Sequence, residues 1–523
     1  MTTSDNIFEL IKSLSPSEKG YIKKLSSFHP RGGQNQYVKL LDAIDRQTIY
    51  DEKELLKKFK GESFINNFSV AKNYLYNYIL KGLESYHKNV RAEIRSYLNQ
   101  VEILENKNLS THCEKLLEKS KKLALKYELF ELLEEIVEWE IHLISRRTPN
   151  EKNHKQIITC YDELFDILLK KDITLRYKKV SSLVYSKMHN KGQIRSLEET
   201  KEYREIIEQG PGGTEHTLRN FKAKLFCLLA NSNYYLHINE YEKSYHYTSR
   251  ILKLWEDNAH MIETNLFNFF GCLINKGVCE LKFKKYGELD QTLDKINEYF
   301  SRFHPENNYL RLSLFNFKFY VSIFTGQQEK GLEIAGEIEK HLVTSRLQEE
   351  DKKASQLFHF GMSCLYIGIG DYKSANKYVN IVLNDYESDL RSDLYCFSHV
   401  LSIIIHFELG NRELLEYRVK STYRLLLKRN KLYKVESLIL NFIKDTIGVI
   451  HTEEEQRQAF ISLRDKMVEA TVDNRFEEIA LDYFDFISWL ESKIENRSFR
   501  EIKRRKFLAH LEQIPPESSL TEK

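Results

Sequence analysis

Few residues in this 523-residue chain are spaced for chemistry, and their spacing argues against a catalytic site. Glu138 and His142 stand one helical turn apart and could act as an acid and base, but on solvated helices that spacing is usually structural. Gly326 and Gly331 have the glycine spacing of a phosphate-cradling loop, yet Leu332 occupies the position where such a loop needs lysine. The glycines around Pro211 follow a charged helix and not a strand, so they read as a hinge or boundary. No H-E-x-x-H and no cysteine–histidine cluster occurs, and no metal site is expected. Seven cysteines, Cys113, Cys160, Cys227, Cys272, Cys279, Cys364 and Cys396, are scattered without a C-x-x-C pair, which reads as reduced core thiols. G-x-S-x-G and the kinase motif set are absent too. The expectation is a noncatalytic protein without a cofactor.

Binding chemistry is the alternative. Residues 1–95 hold 16 Lys and Arg against 11 Asp and Glu, while the whole chain is only +3. Several short helices followed by a longer one carrying Lys72, Asn73, Tyr76, Asn77 and Lys81 have the layout of a helix-turn-helix reader of DNA. Near the other end Arg500, Lys503, Arg504, Arg505 and Lys506 form a second basic run. Lys72, Asn73, Lys81, Arg504 and Arg505 are thus the candidate nucleic-acid contacts. Affinity for nucleic acid scales with the phosphates neutralised, and this basic excess is small. A docking module with solvated lysines is the plainer reading.

The elements that must position these residues are helices. Apolar residues recur at three and four almost everywhere, strand-like alternation is absent over any useful length, and no proline occurs between Pro305 and Pro515. Mean hydropathy is −0.50, and no run approaches the ~20 apolar residues of a membrane span. The start has no signal-peptide pattern, so cytoplasmic residence is the default expectation. The expected organisation is an N-terminal helical module over 1–90, helical hairpins over 91–213, repeated hairpins over 214–474, and a C-terminal cap with a basic, proline-ended tail over 475–523. Ser15, Pro16 and Glu18 spell a capping box. Residues 29–33 and Pro515–Pro516 break helices, Ser69 is expected to cap the helix that follows, and separate helices are expected over 151–171 and 173–191.

The clearest hairpin spans 357–386. Met362, Leu365, Tyr366 and Ile369 line one helix, Ala375, Val379, Val382 and Leu383 line the next, and Gly370 turns between them. The same layout recurs with turns at Asn239, Lys284, Gly326, Gly370 and Gly410, at steps of 45, 42, 44 and 40 residues. A near-constant step means that each pair buries its second apolar side against a neighbour.

Ser363, Tyr366, Gly370, Tyr372, Ala375, Val379 and Leu383 resemble the tetratricopeptide repeat. The step exceeds that repeat's ~34 residues and no proline closes the second helices, so the units are similar to the elongated repeats of bacterial peptide-sensing regulators. The resemblance implies an all-α, right-handed α-solenoid of antiparallel helix pairs with C-terminal capping helices. It also implies a concave groove with Asn233, Asn316 and Tyr320, then Phe360, Ile404 and Phe407, facing the ligand. The partner expected from it is a protein or peptide held by a noncatalytic scaffold, with no metal and no membrane. The alternative is a cytoplasmic regulator whose N-terminal module contacts DNA or RNA while the repeats sense a peptide.

Overall fold

The computed structural model describes residues 3–27, 34–87, 89–212, 215–303, 308–345, 352–446 and 452–512, and these residues form helices without a strand among them. The breaks at 29–33 and at Pro515–Pro516 lie outside the described residues. No described helix is long and apolar enough to cross a membrane. The chain divides into two compact units, Met1–Leu164 and Phe165–Lys523.

In the first unit, helices Thr3–Ser13, Pro16–Ser27, Gln34–Arg46, Glu52–Lys58 and Phe68–Tyr86 surround one core built on Ile7, Ile11, Leu40, Ile44, Leu75 and Ile79. The capping box forms as its spelling implies: the Ser15 backbone N–H donates to Glu18 at 2.7 Å and the Glu18 N–H donates to Ser15 Oγ at 3.3 Å. Asp51 caps the next start by accepting from the Glu54 N–H at 3.1 Å. The last helix begins at Phe68 and not after Ser69, because a 3-10 turn over Ser63–Asn67 leads straight into it. Val90–Glu105, Ser110–Lys126 and Phe130–Ser145 then pack consecutively.

One continuous helix, Glu151–Lys191, replaces the two expected. No glycine or proline interrupts the sequence near Asp172, and the ion pairs Lys170–Asp166 and Arg176–Asp172, each one turn long, carry the helix through that point.

In the second unit the pairs are Phe221–His237 with Tyr241–Asp257, Leu266–Lys282 with Tyr286–Phe303, Asn308–Phe324 with Gln328–Ser345, Lys352–Ile369 with Tyr372–Asn384, and Ser392–Glu408 with Arg412–Lys428. The five turn residues found from spacing alone, Asn239, Lys284, Gly326, Gly370 and Gly410, all have left-handed backbones, with φ of 61°, 57°, 71°, 88° and 71°. After each, the next N–H reaches back five residues: Glu240 to Tyr235, Lys285 to Glu280, Gln327 to Ser322, Asp371 to Tyr366 and Asn411 to His406, at 2.9–3.0 Å. This closure satisfies carbonyls that a helix end leaves open, and the second helix starts one residue later each time.

The first helix of each pair also packs on the first helix of the following pair. Small residues make the approach possible. A Cβ on Gly277 would collide with the Phe317 ring, and one on Gly361 would lie 2.7 Å from Phe319.

Candidate functional site

None of the groove positions inferred from the repeat pattern is exposed. Asn233 is buried and accepts from Asn275 Nδ2 at 2.8 Å. Asn316 keeps a buried Oδ1 without a hydrogen-bond partner among the described residues. The Tyr320 ring lies 4.4 Å from Phe324, and burial pushes its phenol far up. Ile404 is fully enclosed.

The chain's own C-terminal segment covers the remaining two. Tyr483 meets Phe360 edge-on at 6.2 Å and stacks on Phe397 at 4.0 Å. Trp489 meets Phe407 at 6.4 Å and donates its indole N–H to Glu408 at 2.7 Å. This segment falls within the C-terminal cap expected over 475–523. Its placement across several first helices was missed, because those contacts join residues 81 or more positions apart in the chain.

The segment is fixed along its length by paired polar groups. Arg475 reaches Glu240 at 3.2 Å. Asp482 pairs with Lys282 and accepts from the Tyr241 hydroxyl at 3.1 Å. The Tyr483 hydroxyl donates to Asp393 at 2.7 Å, and although burial alone would raise Asp393, Arg391 holds that carboxyl below its usual range. Glu477 accepts the N–H groups of Lys434 and Val435 at 2.8 and 3.0 Å, capping the helix Lys434–Thr446. Arg195 contacts Glu436 and donates through Nε to the Phe476 carbonyl at 3.0 Å, and its guanidinium lies 4.0 Å from the centre of the Tyr433 ring. The cavity among Arg195, Asp393, Cys396, Phe397 and Tyr483 measures about 10 Å³, room for roughly one water. It is a packing gap within an ionic lock.

The last helix, Phe499–Glu512, continues over the pair ends. Phe507 lies 4.6 Å from Tyr286, and Lys503 sits 5.1 Å above Phe324. Much of the basic run is therefore paired: Arg505 donates twice to Glu495 at 2.6 Å, Lys506 meets Glu491 at 2.7 Å and Arg500 meets Glu329. Arg504 is exposed. Of the N-terminal candidates, Lys72 is buried at 5% exposure against Glu52 at 2.6 Å, Asn73 accepts from Asn77 at 3.3 Å, and Lys81 is exposed.

The first unit holds a larger cleft of about 680 Å³. Lys121 bridges Glu140 and Glu163 there at 2.6 and 2.7 Å. Burial would lower Lys121, but the two carboxylates outweigh it and raise its pKa, while burial pushes the neighbouring Cys160 thiol up. A charged, committed lysine and a protonated thiol supply neither base nor nucleophile. His142 faces Glu105 at 3.4 Å, not Glu138. Among the described residues no group of three His, Cys, Asp or Glu could hold a metal ion.

His399 is expected to make the region around Ser392–Glu408 acid-sensitive. Burial, then Arg418 and Arg429, push its imidazole down to about 4. Since the unfolded ring titrates near 6.5, the stability gained by keeping it neutral is complete above that pH and is lost as pH falls toward 4. The shift corresponds to about 3 kcal/mol. His399→Gln is expected to flatten the fall in melting temperature between pH 7 and 4.5; an unchanged profile would remove His399 from the cause.

No protein-family model matches the chain, and no curated protein matches it.

Proposed function

We propose that this chain is a noncatalytic protein-binding scaffold, a right-handed α-solenoid of elongated tetratricopeptide-like pairs. The observation that carries the reading is the repeated turn: five left-handed residues at near-equal steps, each followed by the same backward hydrogen bond and the same restart of the helix. Neighbour-on-neighbour packing of first helices supports it. Such stacks present long helical surfaces suited to protein partners.

The inner face opposite Phe360 and Phe407 is closed by residues 475–512, so a partner would use surfaces outside that face. The second reading, a regulator that touches nucleic acid, loses support where Lys72 and Arg505 are held by carboxylates of the same chain.

Affinity capture on the tagged full chain from its native cell extract, with and without nuclease, separates the two. A stoichiometric protein that survives nuclease is expected. Recovery of material only in the absence of nuclease would overturn the scaffold reading in favour of the second.

A further inference from the structure

The helix Arg412–Lys428 exposes a surface unlike those of the other second helices. Residues 412–431 hold seven Lys and Arg against two Glu, in a chain whose total is only +3. Arg412, Lys420, Arg424 and Lys428 are exposed, and among the described residues no ion pair holds them. Between and beside them Tyr417 is 73% exposed, Leu427 58%, Tyr423 42% and Leu414 38%. By contrast, Tyr241–Asp257, Tyr286–Phe303 and Tyr372–Asn384 leave no large apolar side chain exposed, and among its described side chains Gln328–Ser345 exposes Leu332 alone, at 40%.

The pattern on the helix is ordered. Leu415, Val419, Thr422 and Leu426 are buried and form the inward face. On the opposite face Tyr417, Lys420, Arg424, Leu427 and Lys428 fall within about 100° of arc, at 3.6 residues per turn. Lys420, Arg424 and Lys428 follow one another at about 6 Å, and Tyr417 and Leu427 flank this row about 15 Å apart. Favourable interaction with the helix dipole accounts for cations in the last turn. It gives no reason to leave Tyr417 and Leu427 in water. Nearby Arg429 and Lys431 are already held by Asp389 at 2.9 Å and Glu199 at 2.8 Å, so apart from Arg412 at the helix start the open cations of this segment lie on this stripe.

We infer that this face docks an acidic amphipathic helix of a partner protein, its carboxylates meeting Lys420, Arg424 and Lys428 and its apolar side chains covering Tyr417 and Leu427. Tyr417 offers a ring to a base, and Glu413 and Glu416 repel phosphates and carboxylates alike, but aliphatic Leu414 and Leu427 offer no stacking plane and are covered best by apolar side chains. The charge and the apolar content together therefore select a polypeptide over a nucleic acid. This assignment rests on the scaffold reading and names the partner chemistry.

The test uses fluorescence anisotropy with the full chain and a labelled peptide about five helical turns long, with leucines along one face and glutamates on its flanks. The controls are a scrambled peptide of the same composition and an oligo-dT strand of similar length. The ordered peptide is expected to bind at least about tenfold more tightly than either control, to weaken with salt, and to lose about tenfold in the double variant Lys420→Glu, Arg424→Glu. Tyr417→Ala is expected to weaken it severalfold without changing far-UV ellipticity. Equal binding of the scrambled peptide, equal or tighter binding of oligo-dT, or undiminished binding by the double variant would overturn the assignment. If the double variant still captures the nuclease-resistant partner, the docking face is wrong while the scaffold reading stands.

Discussion

Trp489→Ala is expected to lower the stability of the second unit by about 3–5 kcal/mol, read as a lower urea midpoint in far-UV ellipticity. Trp489 is 1% exposed and packs against Phe407 and Phe460 at 6.4 and 6.1 Å. Truncation removes that buried surface, leaves a cavity among rigid rings, and takes away the hydrogen bond to Glu408. Lys493, at 2.6 Å, would still satisfy Glu408, so the loss belongs mainly to packing. Trp489→Phe, which refills most of the volume, is expected to recover more than half. A midpoint unchanged by Trp489→Ala would mean that the helix Phe486–Ile494 does not belong to this core.

The second large effect is electrostatic. Arg195→Met is expected to cost about 3–5 kcal/mol, because breaking a buried pair leaves an uncompensated carboxylate in the interior. Arg195 and Glu436 are 4% and 2% exposed. Burial raises Glu436, and Arg195 offsets part of that rise. Without the arginine the folded carboxyl would titrate still further above its unfolded value. A folded state that holds the extra proton is favoured at low pH and loses stability as pH rises, so the variant's deficit should be larger at pH 8 than at pH 5. Replacing both partners, Arg195→Met with Glu436→Leu, is expected to restore most of the loss. Urea midpoints at both pH values check each statement. A deficit independent of pH, or a double variant no better than the single one, would show that lost packing outweighs lost charge pairing.

These contacts mark the limit of what local sequence could reveal. Turn positions were legible because each is a local event: Gly326, Gly370 and Gly410 favour a left-handed backbone, and Asn239 and Lys284 fall at the same step. The Ser15–Glu18 box and the core stripe of 362, 365, 375 and 379 were legible for the same reason. The join at Asp172 was not, since charge changes there without a helix breaker.

What covers the expected groove positions was not legible for a different reason. Phe360 and Phe407 lie on first helices as the pattern implies, but what covers them arrives from Tyr483 and Trp489, much further along the chain. No periodicity encodes such a return. The basic stripe on Arg412–Lys428 was present as composition, yet its meaning depends on which faces of that helix are buried.

Hydrogen exchange of the intact chain tests most directly whether the C-terminal segment closes the proposed inner face. With the face closed, the amides of Phe486–Ile494 should exchange as slowly as those of Ser392–Glu408, both opening only with the unfolding of that region. Exchange of Phe486–Ile494 within seconds, while Ser392–Glu408 stays protected, would show an open groove and contradict the proposed arrangement.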